Sequence, residues 1–401
     1  MNFRRLSVRD LDVRGKRVFV RVDFNVPLRG GSVADDTRLK ASLPTLQLLA
    51  ERKARIVAAS HLGRPHGKRV PNMSLAPVID PLSTLLSRPV RMAPDCVGPE
   101  VEGEVRDLAE GEILLLENLR FHKEEEANDS DFASQLAGLA DLFVNDAFGS
   151  SHRAHASVVG IPRHLSGSAV GLLLEREMEM LSRLREHHES PYIAVLGGAK
   201  VSDKMDLLHN LIGKVDAILI GGAMAYTFLK AKGMTVGSSR IEQGKIEHAK
   251  VILARAQETG VALHLPQDHV VARSPEPGAA CHATRGVSIE RGMIAFDIGP
   301  KTRELYRKEI ASARTIFWNG PLGMFEVPPY DEGTRAVADG IDSSRSFSVI
   351  GGGDSAAAMI ALDLAGRFTH VSTGGGASLE FLAGVDLPGI LALSRAPGGA
   401  A

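Results

Sequence analysis

The feature that most constrains this chain is the way its apolar, strand-length runs end. Such runs recur throughout, separated by stretches of helical periodicity, and that alternation is the pattern of a parallel α/β fold. In the first half the runs end in charge: "RVFVRVDFN", "ARIVAASHLGR", "EILLLENLRF" and "LADLFVNDAFGSSHR". In the second half they run into glycine: "PYIAVLGGAK", "VDAILIGGAMA", "TIFWNGPLGMFE", "SFSVIGGGDSA" and "THVSTGGGASLE". Ligands of open α/β sheets bind at the carboxyl ends of the strands. The first half is therefore expected to hold a small polar anion. The second is expected to set backbone amides and helix N-termini against phosphates.

A chain of 401 residues has room for two domains and ample core. Its formal net charge of -1 gives no general attraction to nucleic acid or to acidic membranes, so any anion site must be a local cluster. Cys96 and Cys281 lie far apart without metal-type spacing and read as free thiols in a reducing compartment. The start of the chain lacks the pattern of a secretion signal, and the longest apolar run, "AILIGGAMAYTFL", is too short and glycine-rich to cross a bilayer. The expectation is a cytoplasmic protein, monomeric, with no nucleic-acid or membrane partner. Between the halves, Leu174, Met178, Leu181 and Arg185 fall on one face of an amphipathic helix. It reads either as a stiff connector or as an ordinary surface helix. The tail "SRAPGGAA" reads as frayed.

The segment "NDAFGSSHRAHAS" concentrates chemistry. Asp146, Ser151 and His155 supply the residue types of a charge-relay triad, and His152 with His155 could face a metal on one helical turn. No G-x-S-x-G elbow and no third-ligand motif accompany them, and Arg153 would repel a cation. A cradle for an anion is the reading that remains. Other strand endings add Asp23 and Asn25, His61 and Arg64, and Arg120, with Arg38 after "VADDT" in a polar loop region. Arginines gathered from successive strand ends, with a carboxylate to orient one of them, suit a phosphorylated hydroxy acid.

In "LGGAKVSDK", Lys200 and Lys204 at i, i+4 are expected on one face of a helix that follows a Gly-Gly turn, where they would steady phosphoryl oxygens. The chain has no G-x-x-x-x-G-K-[ST], so it is not a P-loop enzyme. "GGGDSAAA" fits a dinucleotide fingerprint only weakly, because the acidic residue expected about 20 residues later is missing. Asp354 within it is either a plain N-cap or, with nucleotide phosphates, a magnesium ligand.

Together, "RVDFNVP", "DDTR", "SHLGRP", "ENLRF", "NDAFGSSHRAHAS", "GGAKVSDK", "WNGPLGMFE", "GGGDS" and "STGGGASLE" resemble the phosphoglycerate kinases, in order from Arg21 to about Glu380. The resemblance implies two doubly wound, Rossmann-like parallel-sheet domains joined by a hinge helix. Residues 1–170 with the tail 385–401 would bind 3-phosphoglycerate or 1,3-bisphosphoglycerate; 171–188 would form the hinge; 189–384 would bind ATP or ADP with Mg2+. It implies substrate contacts from Asp23, Phe24, Asn25, Arg38, His61, Gly63, Arg64, Arg120 and Arg153. Lys200, Lys204, Asn319, Glu326, Gly352, Gly353, Asp354 and Ser355 would meet the nucleotide, with Asp354 toward magnesium. Gly374, Gly375 and Gly376 would set a second helix N-terminus at the phosphates. Arg38, Lys200 and Lys204 would be catalytic.

The resemblance also implies reversible phosphoryl transfer with domain closure. The attacking carboxylate is already ionised, so positioning and charge neutralisation suffice without a general base. Ala295 stands where the family often has glycine, the tryptophan frequent just before it is missing, and "VPPYDEGT" is less typical. These departures touch the adenosine side. A nicotinamide dehydrogenase and a non-catalytic nucleotide-binding module are the rival readings: NADH binding without ATP-dependent transfer would mark the first, and the presence of Arg38, Lys200 and Asp354 argues against the second.

Overall fold

The structure is a computed structural model and describes residues 6–342 and 345–394; the expectation for the tip of the tail lies outside them. The chain divides into two compact units, one up to Glu179 together with the segment from Asp386 onward, the other Met180–Val385. Within the first, Gly389 N–H donates to the Ser151 carbonyl at 2.9 Å and its own carbonyl accepts from Asn145 Nδ2 at 3.4 Å.

The first unit is built on a six-stranded parallel sheet in the order Val90–Met92, Ile113–Leu115, Arg55–Ala59, Arg17–Arg21, Leu142–Asn145, Ser168–Val170. Its strands are near-continuous apolar runs because both faces are covered. Val18, Val20, Ile56, Ala58, Ile113, Leu115 and Val144 contribute to one hydrophobic core, with Leu39, Leu46 and Leu49 from the Thr37–Glu51 helix. The direction of winding reverses between Arg17–Arg21 and Leu142–Asn145, so the crevice at their carboxyl ends falls among Asp23, Asp146 and the segment after it.

The second unit has a six-stranded parallel sheet in the order Ala262–His264, Ala217–Ile220, Tyr192–Leu196, Thr315–Asn319, Phe347–Ile350, His370–Val371. Counted along the chain that is third, second, first, fourth, fifth, sixth, the doubly wound order, and its switch point lies between Leu196 and Asn319. A three-stranded antiparallel sheet of His269–Ala272, His282–Ala283 and Ile294–Ile298 is added to it. Ala295, in that sheet, is buried beside Tyr226, Leu229 and Val271 and donates its N–H to Ser239 Oγ at 3.0 Å.

The Leu172–Glu186 helix crosses the boundary between the units. Its start is fixed by Asp146, whose Oδ1 accepts the Leu173 and Leu174 amides at 2.9 and 3.3 Å, while Thr45 Oγ1 accepts the Leu172 amide at 2.8 Å. Its buried face is Leu174, Glu177, Met180, Leu181 and Leu184, which differs from the expected stripe: Met178 is only half-buried. Arg185, placed with Leu174 and Leu181 on one face in the sequence, is half-buried with its guanidinium 4.5 Å from the Phe381 ring centroid, a cation–π contact. Among the described residues no helix is long and apolar enough to cross a membrane.

The switch point of the second sheet is packed backbone against backbone. Gly222 has φ +65°, and a Cβ there would stand 2.5 Å from the Gly198 nitrogen and 2.6 Å from its oxygen. Gly222→Ala is expected to lower unfolding stability by about 1–3 kcal/mol. Denaturant titration of the wild type and variant, side by side, checks this; equal midpoints would show that the crevice has slack that the geometry denies it.

Candidate active site

Two clusters occupy the carboxyl ends of the two sheets, one in each unit. In the first, the organising group is one that the sequence reading passed over. Arg21 ends its strand fully buried, and a buried guanidinium must find acceptors for its donors. Its Nε donates to Ser157 Oγ at 2.9 Å, its Nη1 to the Val22 carbonyl, and its Nη2 approaches His61 Nδ1 at 3.1 Å and Ser150 Oγ at 3.4 Å. A guanidinium only donates, so His61 Nδ1 accepts and its ring proton is assigned to Nε2. Burial, reinforced by Arg21, Arg120 and Arg38 against Asp23, pushes the His61 pKa well below its ordinary value, so the ring is neutral.

Ser157 passes the charge on. Its hydroxyl donates to Glu125 Oε1 at 2.6 Å, and its amide donates to Glu125 Oε2 at 2.9 Å. Glu125 is buried, which raises its pKa, while Arg21 and the Ser157 hydrogen bonds pull the other way.

Arg38 lies in the first turn of the Thr37–Glu51 helix, not in a loop. A cation there opposes the helix dipole, so its place is set by a partner: Arg38 Nη1 meets Asp23 Oδ1 at 2.8 Å. Burial alone would raise the Asp23 carboxyl, but Arg38 and Arg21, with the Asn25 amide, outweigh it and hold its pKa down to about 2. Asn25 extends the network, donating its amide to Asp23 Oδ1 at 3.1 Å and accepting the Gly63 amide on Oδ1 at 2.9 Å. Arg120 Nη1 donates to the Gly63 carbonyl at 2.9 Å, and its Nε lies 3.4 Å from Glu126 Oε1. Arg153 donates from Nε to His152 Nε2 at 3.2 Å. Burial brings the Arg120 pKa down to about 10, and the neighbouring charges of Arg153 and Arg21 act in the same direction.

Asp23, Asn25, Arg38, Gly63 and Arg120 are thus joined by contacts, His61 is held by Arg21, and Arg153 acts on Arg120 through its charge. Arg64 stands exposed one residue beyond Gly63. The Phe24 ring belongs to the hydrophobic core, which leaves only its main chain for a ligand; its amide donates to Ser60 Oγ at 2.8 Å.

The triad residues go three separate ways. Asp146 caps a helix, Ser151 Oγ donates to the Ala147 carbonyl at 2.9 Å, and His155 Nδ1 lies 3.7 Å from Glu125. Burial, with Arg120, Arg21 and Arg153 nearby, brings the His155 pKa down to about 3. Among the described residues the Asp, Glu, His and Cys grouping close enough for a metal is elsewhere, at Asp95, Cys96 and His122. Its donors are already engaged: Asp95 Oδ1 accepts His122 Nε2 at 2.6 Å, and Cys96 Sγ donates to the Glu117 carbonyl at 3.0 Å. Both cysteines are free.

In the second unit glycine makes room for a lysine. Lys204 is buried, its Nζ lying 3.4 Å from the Asn319 carbonyl; a Cβ on Gly320 would stand 2.9 Å from that amine and one on Gly198 3.4 Å from it. Burial lowers the Lys204 pKa to about 8, against the pull of Asp354 and Asp203. The shared helical face expected for the two lysines is not there. Lys200 is exposed and precedes the Ser202–Lys204 turn, and the α-helix starts only at Met205, because the glycines at 197 and 198 bend the chain around the switch point.

The glycine amides are also partly spent on the fold. Gly197 N–H donates to the Asn319 carbonyl and Gly198 N–H to the Pro321 carbonyl, both at 2.8 Å. The Gly374 amide donates to Ser372 Oγ at 3.1 Å, just ahead of the Gly376–Leu382 helix capped by Gly375. Ser355 Oγ accepts the Gly320 amide at 2.6 Å, so its hydroxyl fastens two strand ends together. Open to phosphates is the first turn of the Gly353–Ala361 helix, after Gly352, whose amides have no intrahelical acceptor, and the start of the Gly376–Leu382 helix offers amides in the same way. Asp354 is exposed in that turn, and Asn319 Oδ1 is buried without a hydrogen-bond partner. Hard oxygens of this kind fit a magnesium ion held mainly by phosphates and water. Glu326 is exposed beyond the Thr315–Asn319 strand.

A model of the phosphoglycerate kinase family matches residues 8–385. A phosphoglycerate kinase of Solibacter usitatus is 53% identical over 395 residues, covering 97% of this chain and 99% of that protein. Solved phosphoglycerate kinases from Coxiella burnetii and Pyrococcus horikoshii share 40% and 33% identity with TM-scores of 0.87 and 0.85, each spanning 97% of this chain and 98% of the other.

Lys204 yields a pH prediction. A lysine whose pKa is lowered to about 8 loses its charge in the free protein as pH rises through that value. The expected profile of kcat/KM falls above about pH 8, and the limb in kcat lies higher, because bound phosphate charge favours the ammonium. Lys204→Arg should move both limbs up and out of range. Steady-state rates across pH 6–10 check this, and an unmoved alkaline limb in the variant would assign the titration to another group.

Proposed function

Given that the chain belongs to the phosphoglycerate kinase family, we propose that its first unit holds 3-phosphoglycerate or 1,3-bisphosphoglycerate and its second holds magnesium ADP or ATP. The chain's activity is that of a phosphoglycerate kinase, a phosphotransferase of glycolysis. The observation that carries the proposal is the contrast between the two strand-end clusters: guanidinium side chains in one, a lysine and a helix N-terminus in the other.

Arg38, Arg120 and Arg153 receive the acid substrate, with the neutral His61 donating from Nε2. Asp23 aims Arg38; it is not a base, since a carboxyl held at about 2 has no appetite for a proton at neutral pH. None is needed, because the substrate carboxylate attacks in its ionised form. Lys204, and Lys200 from its exposed position, neutralise phosphoryl oxygens, and the first-turn amides from Gly353 onward receive the nucleotide phosphates. Asp354 and Asn319 Oδ1 would supply oxygen to magnesium or its waters, and the ion would offset phosphate charge. Catalysis is charge placement, and the units draw together when both ligands are bound so that water is excluded from the acyl phosphate.

Arg38→Ala tests the reading. Removing a preorganised donor typically lowers turnover about 10²–10³-fold. Because Arg38 is ion-paired to a mostly buried Asp23, a stability loss of about 1–3 kcal/mol is expected alongside, more than a loop arginine would cause. Arg38→Lys should restore charge but only part of the rate. The check is kcat at saturating 3-phosphoglycerate and ATP, well below the unfolding midpoint of each variant. A normal kcat with a raised KM would confine Arg38 to ground-state binding.

A further inference from the structure

The amino-terminal end of the first sheet carries a second basic cluster. Arg17 and Arg55 open neighbouring parallel strands and are paired in register, so their side chains leave the sheet on the same face. With Glu102, Val105, Arg106 and Leu139 they line a cavity of about 500 Å³. Adjacent like charges repel, and the structure answers only one of them. Arg17 is held by Asp141, Nη2 to Oδ1 at 2.6 Å and Nε to Oδ2 at 3.3 Å, with Nη1 3.4 Å from the Gly138 carbonyl. Arg55 has no such answer. Its Nε is shut off from solvent and has no hydrogen-bond partner, and among the described residues no carboxylate pairs with it or with Arg106.

One enclosed N–H without an acceptor is costly, and the rest of the half-buried Arg55 fork has no carboxylate to meet, so the cation points to an acceptor that arrives from outside. Six residue rises of about 3.3 Å separate Arg17 from Asp23, about 20 Å along the chain, so the cavity is separate from the transfer machinery. We propose that the cavity is a binding site for a small phosphate ester, with Arg55 and Arg106 as its free forks and Arg17 fixed beside them by Asp141. A phosphoryl group offers oxygens that match two guanidinium forks, as a single carboxylate could not. The volume lies in the range of organic ligands, well above what inorganic phosphate alone requires, and buried Val105 with Leu139 gives the carbon part an apolar wall. Glu102 on the rim disfavours anions that do not engage both free arginines.

The test uses the full chain with 3-phosphoglycerate and magnesium ADP at saturation, so that the substrate sites are filled. The readout is the Arg55 Nε–Hε resonance, assigned by its loss in Arg55→Lys. One arm adds inorganic phosphate, the other glucose 6-phosphate. The expected result is a saturable shift of that resonance, with the ester binding more tightly. In Arg106→Gln the binding should weaken about tenfold or more while kcat stays unchanged. Equal affinity for the two probes would keep the site and make free phosphate its ligand. A resonance that neither probe moves, a shift that never saturates, or binding unaffected by Arg106→Gln in a protein of unchanged unfolding midpoint would overturn the proposal.

Discussion

A fully buried arginine governs the first site. Arg21 cannot be solvated, so it must be met, and it is met by Val22, His61, Ser150 and Ser157, three of them from segments far along the chain. Satisfying one side chain therefore fixes several strand endings against one another. It also sets the His61 tautomer, and through Ser157 it reaches the buried Glu125. Asp23 and Arg38 then pair in the field of that network, which is why Asp23 remains ionised despite its burial. A site arranged in this way is organised before any ligand arrives, as electrostatic catalysis requires.

The second site solves a related problem with the opposite material. Glycine removes side chains at the switch point until backbone meets backbone, and the space left admits the Lys204 amine against Gly198 and Gly320. Cations at the end of one sheet and helix amides at the end of the other suit two anionic reactants that must exchange a third anionic group. In the first site Asp23 is committed to Arg38, and burial lowers the pKa of His61 and His155, which makes both poor proton acceptors.

Most of the architecture was legible because strand-length apolar runs and their endings are local features of sequence. The endings "VDFN", "SHLGR" and "ENLRF" marked Asp23, His61 and Arg120; the Gly63 main chain and Asn25 link Asp23 to Arg120, and Arg21 holds His61. Arg21 was hidden for a physical reason: inside a strand, an arginine usually reads as a solvent-facing residue, and only the full covering of the sheet reveals it as buried. The Lys200–Lys204 spacing suggested a helical face, but the glycines before it take the chain around the switch point and delay the helix to Met205. The connector's buried stripe was misread because Glu177, a carboxylate, lies on it while Met178 does not, which the polarity of the residues alone could not disclose.

The division of labour between the two sheets can be examined directly by crystallography of the full chain soaked separately with 3-phosphoglycerate and with magnesium ADP. The account predicts 3-phosphoglycerate density within hydrogen-bond reach of Arg38, Arg120 and His61. It predicts nucleotide phosphates at the first turn of the Gly353–Ala361 helix, with magnesium beside Asp354. Density for 3-phosphoglycerate at the glycine-ended strands, or for the nucleotide phosphates among the arginines, would contradict it.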